Sequence, residues 1–454
     1  MSDTTVADVV VDGLARAGVV RAFAGPAGGP LRDACAGRGL AVVATASAAA
    51  AATMAAVSGL LERAPGAAIV AGPVDVRGAA ADRAPLVVLR VADQPTEAPA
   101  GVKARLVLEP ASAAHWIAHA CQLAMKAPRG PVEVDVTSAA LGAAALPVAT
   151  GVRPARLPPA PPAMLDDLAR RIGAASRPVV LAGLECEDDD AWWIRPFAES
   201  VPAPVLVTPR AKGAVPDPHP LALGVLGSEG PQAALVARAD LVIALGLDAA
   251  ECRGWTPSMP VVRVGRSAAE GVSWAPALDV VAEIGLVLEE LAPRLRDRER
   301  ADWDVAWLDR LKRGLGASRA VPAPGLPAWR AVQLTREATP AGTVAAVDAS
   351  GPTADALAFW HCVAPHQLLL GDEHAPGFGA RAAVAAALAR PWQRPVCFTG
   401  DVGLEAARDD LARAAGEGVR VLVVVTGAAR RDEAGFEADL VRAVGQRGVA
   451  VIGG

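Results

Sequence analysis

Asp401 ends one apolar run, "RPVCFTGD" (394–401), and Thr426 and Gly427 end the next, "RVLVVVTG" (420–427). A carboxylate at one strand tip and a hydroxyl or backbone carbonyl at its neighbour are hard oxygen donors. Such donors suit a small octahedral cation that carries a diphosphate. Asp401 has a second reading, as the N-cap of a helix over "VGLEAARDDLARAAG", and one residue can serve both ends. Asp348, Asp372, Glu373 and His374 follow other strand candidates of the same region. With Asp401 they offer carboxylates and an imidazole to a metal or a cationic ligand, and a solvated loop rim is the plainer alternative.

These residues need parallel strands to bring them together. Short β-branched runs alternate with Ala-rich helical stretches, the pattern of layered α/β folds. The pattern recurs in three blocks, and we expect three doubly wound parallel-sheet domains. The first covers 1–145, with strands at 41–45, 67–72, 85–91 and 131–136. A Pro-rich stretch without periodicity, 146–164, reads as a linker. The second block is a central Rossmann-like domain over 165–320, with strands at 177–183, 204–208, 239–246 and 260–265. After a second linker, "VPAPGLPA" (321–328), the third block covers 329–454, with strands at 342–348, 366–371, 394–400, 420–427 and 449–454. Ligands of such sheets sit at the carboxyl ends of strands, where the strand order switches.

Composition narrows the partners. The chain has 454 residues, is 52% hydrophobic and 20% charged, and carries a formal net charge of −5 without long blocks of one sign. That disfavours nucleic acid and membrane surfaces. No apolar run reaches the roughly 18 residues of a membrane span, and "MSDTTVADVVVDGLARAG" reads as a capped helix and not as a leader. A cytoplasmic protein is expected. Six cysteines without a CxxC pair read as buried free thiols. His115 and His119 lack a third ligand and read as a helix surface. Trp192 and Trp193 read as packing a helix onto a sheet or a subunit interface.

"GFGARAAVAAALARP" (377–391) followed by "RPVCFTGD" resembles the C-terminal domain of thiamine-diphosphate (ThDP)-dependent enzymes of the acetolactate synthase and benzoylformate decarboxylase group. "RPVVLAG", "APVLVTPRAKGAVPDPHPLALGVLG" and "ADLVIALG" resemble the central domain of that family. "VRAFAGPAGGPLRDACAGRGLAVVAT" and "APRGPVEVDV" resemble its first domain more loosely. The resemblance implies pyrimidine-binding, central and diphosphate-binding domains in that order, with ThDP and Mg²⁺ as cofactors. It implies decarboxylase or carboligase chemistry on a small 2-oxo acid.

The resemblance also assigns site residues. Asp401 matches the family's metal-binding Asp, with Gly400 before it. Gly377 and Gly379 fall on the cofactor side. Thr426 and Gly427 stand where the family has an Asn pair, so Thr426 is the second metal-ligand candidate, and Val402 replaces a Gly that returns one place later as Gly403. The family's first-domain Glu polarises the aminopyrimidine so that it deprotonates the thiazolium. Its place falls on Ser47 or Ala50. Ser47 reads as the N-cap of an Ala-rich helix, and the first acid of that stretch, Glu62, comes four turns late. Ala375 and Pro376 cannot provide the apolar prop over which the cofactor bends, and the segment after Gly427 reads as a shortened lid. His374 is left as a weak acid/base candidate. No residue of the central block demands a flavin.

Two functions follow: a ThDP enzyme with altered chemistry, or a catalytically silent paralogue acting as a structural or regulatory partner. A homodimer, a homotetramer or a complex with an active paralogue is implied by the family's shared active sites.

Overall fold

The computed structural model describes residues 4–26, 29–94, 97, 99–227, 230–252, 254–296, 301–315, 325–373, 375–427 and 432–453. Three α/β sheets are present, as expected. The first contains β1 (Arg21–Ala24), β2 (Ala41–Ala44), β3 (Gly66–Val70), β4 (Leu86–Val91), β5 (Ala104–Val107) and β6 (Pro131–Val136), in the order β2-β1-β3-β4-β6-β5. The second contains β7 (Pro178–Ala182), β8 (Val205–Val207), β9 (Ala222–Val225), β10 (Leu241–Leu245), β11 (Val261–Gly265) and β12 (Leu278–Val281), in the order β12-β11-β10-β7-β8-β9. The third contains β13 (Ala345–Val347), β14 (Leu368–Leu370), β15 (Val396–Thr399), β16 (Val421–Val425) and β17 (Val449–Gly453), in the order β14-β13-β15-β16-β17. The ladders β1–β3, β7–β10 and β13–β15 are parallel. The order in which the chain adds strands turns back at each of these three pairs, which marks a switch point in each sheet.

Every strand expected from the sequence forms. Four others, β1, β5, β9 and β12, lack the long β-branched run that marks a buried parallel strand. Of these, β5, β9 and β12 are edge strands, and β9 is interrupted by Gly224 at φ +92 and by a register shift. The linker read over 146–164 ends inside a helix, because Pro162 opens Pro162–Ala174. Proline suits a first helical turn, where its missing N–H is no loss.

By contacts, the chain divides into two compact units. One comprises Met1–Ala155, Val344–Pro352 and Leu369–Gly454, and so carries the first and third sheets. The other comprises Arg156–Thr343 and Thr353–Leu368, around the second sheet. In the first unit, the helices Ala48–Glu62 and Phe378–Ala389 pack against each other and are buried nearly all round. Their alanines permit a close approach. Gly66 on β3 comes so near that an added Cβ would lie 1.8 Å from the Ala55 carbonyl oxygen.

All six cysteines are free and buried. His115 and His119 are exposed on the Ala113–Met125 helix. Trp192 is 79% exposed and so does not pack onto the sheet within this chain, whereas Trp193 lies against Gly285. Adjacent helical positions point about 100° apart, and Trp193 meets the helix Ile284–Leu291 and not the sheet. Among the described residues no helix is long and apolar enough to cross a membrane.

Candidate active site at the strand tips of the first unit

The switch point of the third sheet lies between β13 and β15, and Asp348 follows β13 directly. Its carboxylate is buried and accepts hydrogen bonds from the Gly379 N–H (3.2 Å), the Ser350 N–H (3.3 Å) and the Ser350 hydroxyl (3.2 Å). The Ser350 hydroxyl in turn accepts from the Gly400 N–H at 3.3 Å. Asp348 therefore fixes both glycine-containing turns and is not available to a metal. Gly379, expected on the cofactor side, has its N–H committed to Asp348, and an added Cβ would lie 2.8 Å from the Asp348 nitrogen. Gly377 adopts φ +80 at the start of its helix, against Ala407. Both glycines are closely packed.

Asp401 does not cap its helix. Gly400 is the N-cap, at φ −95 and ψ 179, and Asp401 is the first helical residue. An acid in the first turn favours the helix dipole without capping it. The helix expected through residue 416 breaks at Ala407 into Asp401–Ala406 and Arg408–Gly416. The Asp401 carboxylate is exposed and makes no hydrogen bond among the described residues. Gly403 is the constrained glycine of "GDVG": an added Cβ would lie 2.3 Å from the Thr399 hydroxyl and 2.6 Å from the Asp348 carboxyl carbon. Val402 is 69% exposed.

Thr426 is buried, with its N–H donating to the Thr399 carbonyl at 2.8 Å and its hydroxyl to the same oxygen at 3.4 Å. Gly427 takes φ +110 and has open space where a Cβ would be. Among the described residues the metal end thus offers the Asp401 carboxylate without a hydrogen bond, with Thr426 turned back onto β15. His374 lies outside the described residues. Among those described, no cluster of three or more His, Cys, Asp or Glu is placed to hold a metal.

On the first sheet, Ser47 is the N-cap of Ala48–Glu62, its hydroxyl accepting from the Ala50 N–H at 3.1 Å. Ala50 is fully buried. Glu62, at the far end of the helix, pairs with Arg21 at 2.5 Å and accepts from the Ser58 hydroxyl. The carboxylate that reaches this region is one the sequence did not single out. Asp410, buried on Arg408–Gly416, accepts from the Ala46 N–H at 2.8 Å and from Arg381 Nε at 2.8 Å. Nothing in the sequence marks it, since an acid on a charged helix normally faces solvent. A cavity of about 30 Å³, room for about one water, lies between Ala52, Val57, Gly78, Asp372 and Phe378.

The switch point of the second sheet, between β7 and β10, is filled by the protein's own side chains. Glu251 accepts from the Leu184 N–H (2.7 Å) and the Thr208 hydroxyl (2.5 Å), and burial pushes its carboxyl up to about 7. Glu185 accepts from the Arg266 N–H at 2.7 Å and from the Ser267 hydroxyl, and burial raises it too. Arg266 reaches Asp190 and Glu283, both at 2.9 Å.

Comparison with known proteins agrees with this architecture. Residues 165–291 match the model described as thiamine pyrophosphate enzyme, central domain. The large subunit of acetolactate synthase isozyme 1 from Escherichia coli is 27% identical over 270 residues, covering 58% of this chain and 48% of that protein. Acetolactate synthase 1, chloroplastic, from rice is 28% identical over 323 residues, covering 65% and 49%. The chain spans about half the length of these curated relatives. The structure of a thiamine diphosphate-dependent 4-hydroxybenzoylformate decarboxylase from Rhodococcus jostii superposes with a TM-score of 0.77 at 20% identity, covering 99% of this chain and 98% of that one. Three parallel α/β sheets in this order, with that central domain, define the class. The chain is similar to the thiamine-diphosphate-dependent enzyme family through the central domain at 165–291 and these relatives, and it shares that family's fold.

Proposed function

We propose that this protein is a catalytically silent member of the family, retaining the fold and acting as a structural or regulatory partner in a homo-oligomer or with an active paralogue. One observation carries the reading. At the place of the ylid-forming acid, Ser47 spends its hydroxyl on a helix cap, and Ala50 is buried without a carboxylate. A hydroxyl cannot bias the aminopyrimidine tautomer as a carboxylate does. No step of 2-oxo-acid decarboxylation or carboligation is assigned to these residues.

A second reading, weak ThDP and Mg²⁺ binding with altered chemistry, is favoured by the exposed Asp401 carboxylate at the β15 tip. Here Asp401 would hold the metal, and bound ThDP would supply the carbanion chemistry.

Titration calorimetry with ThDP and Mg²⁺ on metal-stripped protein, followed by a 2-oxo-acid turnover screen, separates the two. The silent reading expects no turnover, whether or not cofactor binds. Turnover that is abolished in Asp401→Ala would overturn it. Binding without turnover that is lost in Asp401→Ala would assign the metal end alone.

A further inference from the structure

The second unit contains a cleft of about 670 Å³ away from its filled switch point. Its walls come from β9, from the helices Pro231–Arg238, Val305–Leu315 and Thr353–Phe359, and from the loop that carries Lys212 and Asp217. That volume is in the range of small-ligand sites.

The charges in the cleft do not balance. Lys212 is buried and paired with Asp217 at 2.7 Å, and the same Asp217 oxygen accepts from the Cys362 N–H at 2.7 Å. That pair is complete. Lys312 is different. Its ammonium is held by two backbone carbonyls, of Asp217 (2.6 Å) and Ala222 (2.5 Å), and makes no ion pair with a carboxylate among the described residues. An ammonium has three donors, so one is left for the cleft. Burial pulls Lys312 below its ordinary value, against the attraction of the Asp217 carboxylate that is already paired with Lys212. Val225, Pro231, Leu357 and Phe359 give the cleft an apolar wall, and Gln232, Arg313 and His361 line it as well.

We propose that this cleft binds a small carboxylate with an apolar body, its anionic head on Lys312 and its body against Leu357 and Phe359. Arg313 at the rim is paired with Asp309 and burial holds His361 below its ordinary value, so Lys312 is the cation left with a spare donor among the described lining residues, which matches a monoanion and not a polyphosphate. The proposal uses no residue of the strand-tip site and stands whether or not ThDP binds.

The test is ligand-observed NMR with calorimetry on the full chain. The probes are phenylacetate, its neutral analogue phenylacetamide, and inorganic phosphate. Phenylacetate should bind one to one, at least about tenfold more tightly than the amide, and phosphate should not displace it. Lys312→Met, which keeps the methylene stem, and Ala358→Trp, which fills the apolar wall without touching charge, should each weaken it at least about tenfold. If Lys312→Met does not fold, Ala358→Trp decides. Absence of phenylacetate binding, equal binding of acid and amide, displacement by phosphate, or unchanged affinity in Ala358→Trp would overturn the proposal.

Discussion

The carboxylate of Asp410 accepts a hydrogen bond at 2.8 Å from the backbone N–H of Ala46, 364 residues earlier in the chain. Its other oxygen accepts from Arg381, itself nearly buried. One acid thus joins the helix start on the first sheet to two helices of the third. Removing a partner from a buried ion pair leaves an unpaired charge, at a cost of about 3–5 kcal/mol. Asp410→Ala should therefore lower unfolding free energy by about 3 kcal/mol in urea titrations. Asp410→Asn, which keeps an acceptor for Ala46 but not the charge, should lose less.

Gly403 should tolerate no side chain. Gly403→Ala forces a methyl against Thr399 and Asp348, and overpacking of this kind costs about 1–3 kcal/mol. Val402→Ala, at an exposed position, should stay within about 0.5 kcal/mol. Thermal melts of the two variants check the contrast.

Ser47 should behave as a cap and as nothing more. Ser47→Ala should cost about 1 kcal/mol, and Ser47→Asp, also a good N-cap, should be close to neutral. Chemical denaturation measures both. A Ser47→Ala variant as stable as the parent would contradict the cap.

Stability should depend on pH through Glu251. Its folded value, about 7, lies above the ordinary 4.5. Between these values the folded state holds a proton that the unfolded state has lost. The contribution is therefore full below about 4.5 and is lost as pH rises through 7, by at most about 3 kcal/mol. Glu251→Gln, which carries no titratable proton, should flatten that decline in a series of melts from pH 4.5 to 8.

The strand tips were legible because parallel buried strands announce themselves as β-branched runs ending in Gly or Asp, and Asp401 and Thr426 sit where those runs end. What the sequence hid was which polar atoms are already committed. Asp348 reads as a candidate ligand, yet its carboxylate accepts three hydrogen bonds within its own turns. Asp401 reads as a cap, yet Gly400 occupies that position. Asp410 reads as a solvated charge and is instead a long-range tie. Hydrogen-bond commitment is a property of tertiary neighbours, and periodicity carries no information about it. The edge strands β5, β9 and β12 were missed for a related reason, since half-buried ribbons such as "ARLV" need no apolar run.

The two alanine-lined helices, Ala48–Glu62 and Phe378–Ala389, meet along a smooth seam. Methyl groups are too shallow to interlock, so such a seam resists separation better than it resists sliding. Asp410 on Ala46 acts across it as a dowel, setting axial position where side-chain relief does not. A carboxylate near the mouth of the first sheet is thus spent on alignment.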